Sequence, residues 1–106
     1  LIVATTDAIA GARIVRVLGL VQGSTVRASH IGRDLTAFFK NITGGEIRQY
    51  TKLMAEAREQ VLDRMREDAA RMGANAIVGL RFSSTDISDG ASELLVYGTA
   101  VVVEHE

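Results

Sequence analysis

Residues 71–82 read Arg71-Met72-Gly73-Ala74-Asn75-Ala76-Ile77-Val78-Gly79-Leu80-Arg81-Phe82, or "RMGANAIVGLRF". A charged, helix-periodic segment ends here and an apolar one begins, with one Gly-Ala-Asn step between them. Upstream, Ile47, Tyr50, Met54, Ala57, Val61, Met65, Ala69 and Met72 recur every three or four residues. That spacing is the repeat of an α-helix with one apolar stripe, and Leu53 and Leu62 widen it. A helix from about Glu46 to Met72 would measure roughly 40 Å at 1.5 Å per residue. Its other face is charged with balanced signs. Arg64 to Asp68 and Glu67 to Arg71 stand four apart, a spacing that predicts surface ion pairs of roughly 0.3–0.5 kcal/mol each. Gly73 falls just past the last stripe position, where a left-handed residue closes a helix. Asn75 also tolerates turn geometry. "AIVGLRFS" then reads as a strand. So short a connection predicts that helix and strand pack on one another.

Working outward, "ARIVRVLGLV" at residues 12–21 is β-branched and apolar enough for a strand. Strict alternation assigns Val15, Val17 and Val21 to one face and Ile14, Arg16, Leu18 and Leu20 to the other. Gly23-Ser24 reads as a turn and "TVRAS" as a short extended piece. "GRDLTAFFKNITGG" spaces Leu35, Phe38, Phe39 and Ile42 as a short helix, with Gly44-Gly45 as its end. After "AIVGLRFS", the polar "STDISDGAS" predicts a long hairpin loop or ragged strand ends, followed by the strand "ELLVYGTAVVV". The order strand, short helix, long helix, strand, strand is an α+β single domain covering residues 1–106.

The totals set limits. With 106 residues, 47% of them apolar, the chain can build one core. A net charge of −1 gives no electrostatic reason to seek nucleic acid or an anionic membrane. The absence of cysteine excludes disulfides, thiolate metal sites and cysteine nucleophiles. No secretory leader and no apolar run of about 20 residues is evident, so the expected location is cytoplasmic.

The last strand raises a question of cover. Leu94, Leu95, Val96, Tyr97, Ala100, Val101, Val102 and Val103 leave almost no polar face, the pattern of a strand buried on both sides. One amphipathic helix covers one face of a small sheet. Large aliphatic side chains left wet on the other would each forgo roughly 1.5–3 kcal/mol. A second copy of the chain, covering that face or pairing with a sheet edge, is the expectation. Closure by the short helix and the N-terminal segment within one chain is the alternative.

"GGEIRQYTKLMAEAREQVLDRMREDAARMGANAIVGLRF", "YGTAVVVE", "ATTDAIAG" and "GLVQGSTVR" together resemble the YbjQ-like family of uncharacterised, mostly bacterial proteins over nearly the whole chain. The resemblance implies a β-α-β-β core akin to a dodecin-like subunit, with one long amphipathic helix on a small, mostly antiparallel sheet. It also implies a ring-shaped homo-oligomer, a homopentamer, and brings the label of a heavy-metal-binding domain without an established reaction. Ser83-Ser84 departs from the family pattern, which carries an acidic residue there, so no carboxylate role is carried over.

Soft metals want thiolates or imidazoles, and this chain offers His30 and His105, far apart. Asp86, Asp89 and Glu93 fit no calcium-loop spacing. Met54, Met65 and Met72 stand at core positions of the helical stripe. Arg16 and Arg81 lie within apolar strands, with Arg27 just beyond one. An arginine on a buried face needs a partner, and Glu93 and Glu104 are candidates. Tyr97-Gly98 marks a bulge or a close approach. Arg16, Arg81, Glu93 and Tyr97 are therefore the candidate ligand-binding residues. The serines carry no nucleophile motif, and His30 with Asp34 reads as a helix-entry pair rather than an acid–base couple. The function legible here is an oligomeric binding or structural module, with metal or small ligand held between subunits. An enzyme with an intersubunit active site is the alternative, and no cofactor or metal is identified by the residues.

Overall fold

The computed structural model describes residues 1–27, 44–88 and 91–106. In chain order these form β1 (Ile2–Val3), β2 (Ala12–Arg27), α1 (Gly44–Arg71), β3 (Ala76–Ser88) and β4 (Ala91–His105). The strands make one sheet in the order β1-β3-β4-β2. β4 is antiparallel to both neighbours, and β1 adds parallel to β3. The fold is α+β, with the long helix and the strand-strand ending expected from the sequence. The short helix expected from "GRDLTAFFKNITGG" falls at positions outside the described residues, apart from Gly44-Gly45, which open α1 instead of closing a helix.

The helix-to-strand junction is built as the sequence implies. Gly73 has φ +87°. Its N–H donates to the Ala70 carbonyl at 3.1 Å, and the Ala74 N–H reaches back to the Ala69 carbonyl at 3.0 Å. This crossed pair is the Schellman closure, which satisfies carbonyls that a helix end leaves without partners. Asn75 acts differently from its expected role as a turn-tolerant residue, because no non-glycine residue among those described has positive φ. Its side-chain amide donates to the Val103 carbonyl at 2.9 Å, and its Oδ1 accepts from the Val103 N–H at 2.8 Å. The side chain thus adds a rung to the edge of β4.

α1 lies across β2 and β4. Ala57, Val61, Met65 and Ala69 are buried, and the last three pack with Val21, Ile77, Leu80, Val96 and Ala100. Gly23 does not turn the chain; β2 runs through it. A Cβ there would stand 2.1 Å from the Val61 carbonyl oxygen, so the glycine is the point where the helix backbone rests on the strand. The polar "STDISDGAS" is likewise largely strand. β3 continues to Ser88, β4 resumes at Ala91, and these two residues are paired.

The other face of the sheet has its own small core: Ala76, Val78, Val101 and Val103, under Ile9, Ala12 and Ile14. The N-terminal segment therefore covers part of the second face from within the same chain. β4 is dry on both sides there, as its apolar run predicts. The rest of that face, toward β2, has no such cover among the described residues. Val17 and Leu20 are each 67% exposed and Val26 is 57% exposed.

Candidate ligand-binding face

Two glycine-centred bulges decide what that uncovered face presents. On β3, Val78 pairs with Thr99 and Arg81 with Tyr97, so Gly79 and Leu80 together stand opposite Gly98. Gly79 takes φ +64°, the left-handed conformation that such a bulge requires. The extra residue inverts the alternation. Leu80 turns under the helix into the core, and Arg81 turns outward beside Tyr97. On β2, Val17 pairs with Val101 and Gly19 with Ala100, leaving Leu18 extra. Gly19 has φ +131°. Leu18 now packs toward the helix-side core and Leu20 moves to the opposite face. A third irregularity between Ile14 and Arg16 shifts the phase once more. The strict alternation expected for β2 fails at these bulges: Val17 and Leu20 share a face, while Leu18 and Val21 lie on the helix side.

Cross-strand partners share a face of a sheet, so the register places Leu20, Thr99 and Val78 in one row and Gln22, Tyr97 and Arg81 in the next. Arg81 is anchored. Its Nη1 donates to the carbonyls of Thr5 and Leu80, both at 2.8 Å. The N-terminal segment laces the bulge as well, since Gly79 N–H donates to Thr6 O at 2.9 Å and Leu80 N–H to Ala4 O at 3.1 Å. A guanidinium carries five N–H donors. With Nη1 committed to backbone, Arg81 has donors left to offer outward next to the Tyr97 phenol and the Gln22 amide.

Of the four residues singled out in the sequence, the structure brings two together, Arg81 and Tyr97. Glu93 shares their face in the row Val26–Glu93–Thr85, but stands four positions from Tyr97, about 13 Å along an extended strand. Arg16 pairs with Val102, on the helix side and near the other end of β2. The expected carboxylate partners are not used that way among the described residues. Glu104 lies 3.6 Å from Arg13, and Arg81 is held by carbonyls. On α1 the ion pairs run three apart, Asp63 with Arg66 and Asp68 with Arg71, while Arg64 turns to the Ser24 carbonyl. Gln22 was missed in the sequence because the turn assigned at Gly23 hid the strand that carries it. The bulge expected at Tyr97-Gly98 lies on the facing strand, at Gly79–Leu80 of β3, and the close approach falls at Gly98 itself, where a Cβ would stand 2.8 Å from Ile77 Cγ2.

The donors present do not suit a soft metal. Met65 is fully buried in the core and Met72 is 39% exposed; His105 is exposed at the end of β4. His30 and Asp89 lie outside the described residues, as do the side chains of Met54 and Asp86. Among the described residues no group of three His, Cys, Asp or Glu side chains converges. No described helix is long and apolar enough to cross a membrane.

Comparison with known proteins agrees with the architecture. Residues 1–104 match the family model YbjQ_1, described as "Putative heavy-metal-binding". A UPF0145 protein of Hahella chejuensis is 52% identical over 104 residues, covering 98% of this chain and all of that one. A UPF0145 protein of Pyrococcus furiosus is 50% identical over 106 residues, covering the whole of this chain and 93% of that one, so the relatives are archaeal as well as bacterial. A crystal structure from Pediococcus pentosaceus, titled as a protein of unknown function in the DUF74 family, superposes with TM-score 0.55 at 16% identity, over 100% of this chain and 98% of that one. It supports the fold alone.

Proposed function

The chain belongs to the YbjQ_1 family, and from that premise we propose that it works as a homo-oligomeric binding module whose ligand is held on the helix-free face of the sheet, between copies. One observation carries this reading: Val17 and Leu20 are each 67% exposed beside the anchored Arg81–Tyr97–Gln22 row. Wet aliphatic side chains of that size each forgo roughly 1.5–3 kcal/mol of burial, which favours a neighbour covering them. The assembly proposed is a closed ring, the pentamer that the sequence resemblance implies. Its ligand is a small organic molecule with an apolar or aromatic body and an acceptor group. Arg81 and Gln22 supply donors for the acceptor, and Tyr97, Leu20 and Val17 supply the apolar surface.

The family label would place a heavy metal here. The soft-donor inventory argues against a site within one copy, since the chain has no cysteine and two histidines, so no metal-dependent step is derived. The test is native mass spectrometry with elemental analysis of protein purified without chelators, alongside Arg81→Ala and Tyr97→Ala. A retained organic mass that both variants lose is the expected result. Stoichiometric metal retained by the wild type and by both variants would replace this reading with the metal-binding one.

A further inference from the structure

The way Arg81 is held fixes what its guanidinium can still bind. Nη1 donates to the Thr5 carbonyl and to the Leu80 carbonyl, both at 2.8 Å, which uses its two N–H groups. The Nε–H and the two N–H groups of Nη2 remain. Of these, only the Nε–H and one Nη2–H run parallel. A single two-pronged edge is left, and its geometry matches the two oxygens of a carboxylate. Among the described residues no carboxylate stands within ion-pair distance of it.

The surroundings of that edge select further. The rows Leu20–Thr99–Val78, Gln22–Tyr97–Arg81 and Ser24–Leu95–Ser83 follow one another on the helix-free face. Tyr97 therefore stands one strand from Arg81, with Leu95 next to it along β4. Tyr97 is 38% exposed, so its ring is open to a ligand lying along the strand. In the rows from Val17 to Val26, Arg81 is the only cation among the described residues, and Glu93 lies in the last of them. Asp7 adds a carboxylate at the rim. Its Oδ1 is 3.8 Å from the point that a Cβ on Gly79 would occupy, over the bulge and two residues before Arg81. One held cation with a carboxylate at its rim balances one negative charge and opposes a second.

Resting on the binding reading above, we propose that the ligand is a monocarboxylate with an apolar body. Its two oxygens take the Nε–Nη2 edge of Arg81. Its body lies over Tyr97 and Leu95, with the Gln22 amide on the far side of the ring. A phosphate ester brings a second charge against Asp7. A neutral amide offers one acceptor oxygen to two donors and no charge to the guanidinium.

The probes are benzoate and octanoate for the class, with phenyl phosphate and benzamide as the doubly charged and neutral counterparts. Each is titrated into the assembled protein and followed by NMR at the Gln22 side-chain amide, the Leu20 methyls and the Tyr97 ring. Benzoate and octanoate are expected to shift these signals and to bind roughly tenfold or more tighter than benzamide, the contribution of a charge-assisted hydrogen bond. Phenyl phosphate is expected to bind more weakly than benzoate, and Asp7→Asn to narrow that gap. Arg81→Lys keeps the charge without the fork and is expected to weaken benzoate by roughly tenfold, with circular dichroism checking its fold. If that variant does not fold, the selectivity of Asp7→Asn decides alone. Phenyl phosphate or benzamide binding these residues as tightly as benzoate, or an Asp7→Asn protein with unchanged preference, overturns the monocarboxylate and leaves the binding face standing. No shift at these residues with any probe overturns both.

Discussion

At Gly23 an added methyl would meet the Val61 carbonyl at 2.1 Å and the Met65 nitrogen at 3.1 Å. Both are backbone atoms of α1 and cannot swing aside, so Gly23→Ala must push the helix off the sheet. A loss of about 1–3 kcal/mol, the usual range for overpacking, is expected in urea unfolding; an unchanged midpoint would mean that the helix stands farther away. Gly73 isolates the other role of glycine. Nothing lies within 4 Å of its Cβ position, yet its φ is +87°. Gly73→Val should cost about 1–2 kcal/mol through backbone conformation alone, read as a lowered melting temperature without a change in assembly. Asn75 spends both ends of its amide on Val103. Asn75→Ala, which orphans that N–H and carbonyl, should lose about 1–3 kcal/mol, with faster amide exchange at Val103 as the local signature. Gly73 was legible in the sequence because helix closure is a local rule. Gly23 was not, because its constraint comes from a helix nearly forty residues away.

Among the elements, α1 followed directly from its repeat: among the described side chains of the stripe, Ala57, Val61, Met65 and Ala69 are buried, and only Met72, at its end, is exposed. The strands were harder to read. A bulge at Gly79 and another at Leu18–Gly19 each reverse the alternation, so the face assigned to a residue beyond them by simple parity is the wrong one. Polar strand ends also looked like loop, since Ser83 to Ser88 carry few apolar side chains while still pairing with β4. Val101 tests the second core at this scale. It is fully buried beneath the N-terminal segment of its own chain, and Val101→Asp places a carboxylate without a partner there. Loss of the folded subunit itself is expected, seen as a collapsed thermal transition, because burying such a charge costs several kcal/mol. A folded but unassembled Val101→Asp protein would show that this strand is dried by a neighbour instead.

For the whole molecule, Leu20 is the contrasting position, 67% exposed in one copy and on the helix-free face that the proposed assembly covers. Leu20→Asp should leave the subunit's circular dichroism unchanged and weaken assembly. Losing about 1.5–3 kcal/mol of burial per copy corresponds to roughly 10-fold or more in each association constant. Sedimentation across a concentration series checks this, and an unaltered profile would remove Leu20 from the interface. By itself, the sequence determined the class of fold, the long helix with its glycine closure and the excess of apolar strand, because periodicity, local backbone rules and total apolar content are written residue by residue. Only the tertiary structure decided that the N-terminal segment dries part of the second face, that bulges turn Arg81 and Leu20 outward, and that Arg16 stands apart from Arg81 and Tyr97. Those outcomes depend on register between strands distant in the chain, where one extra residue sends every side chain beyond it to the opposite face.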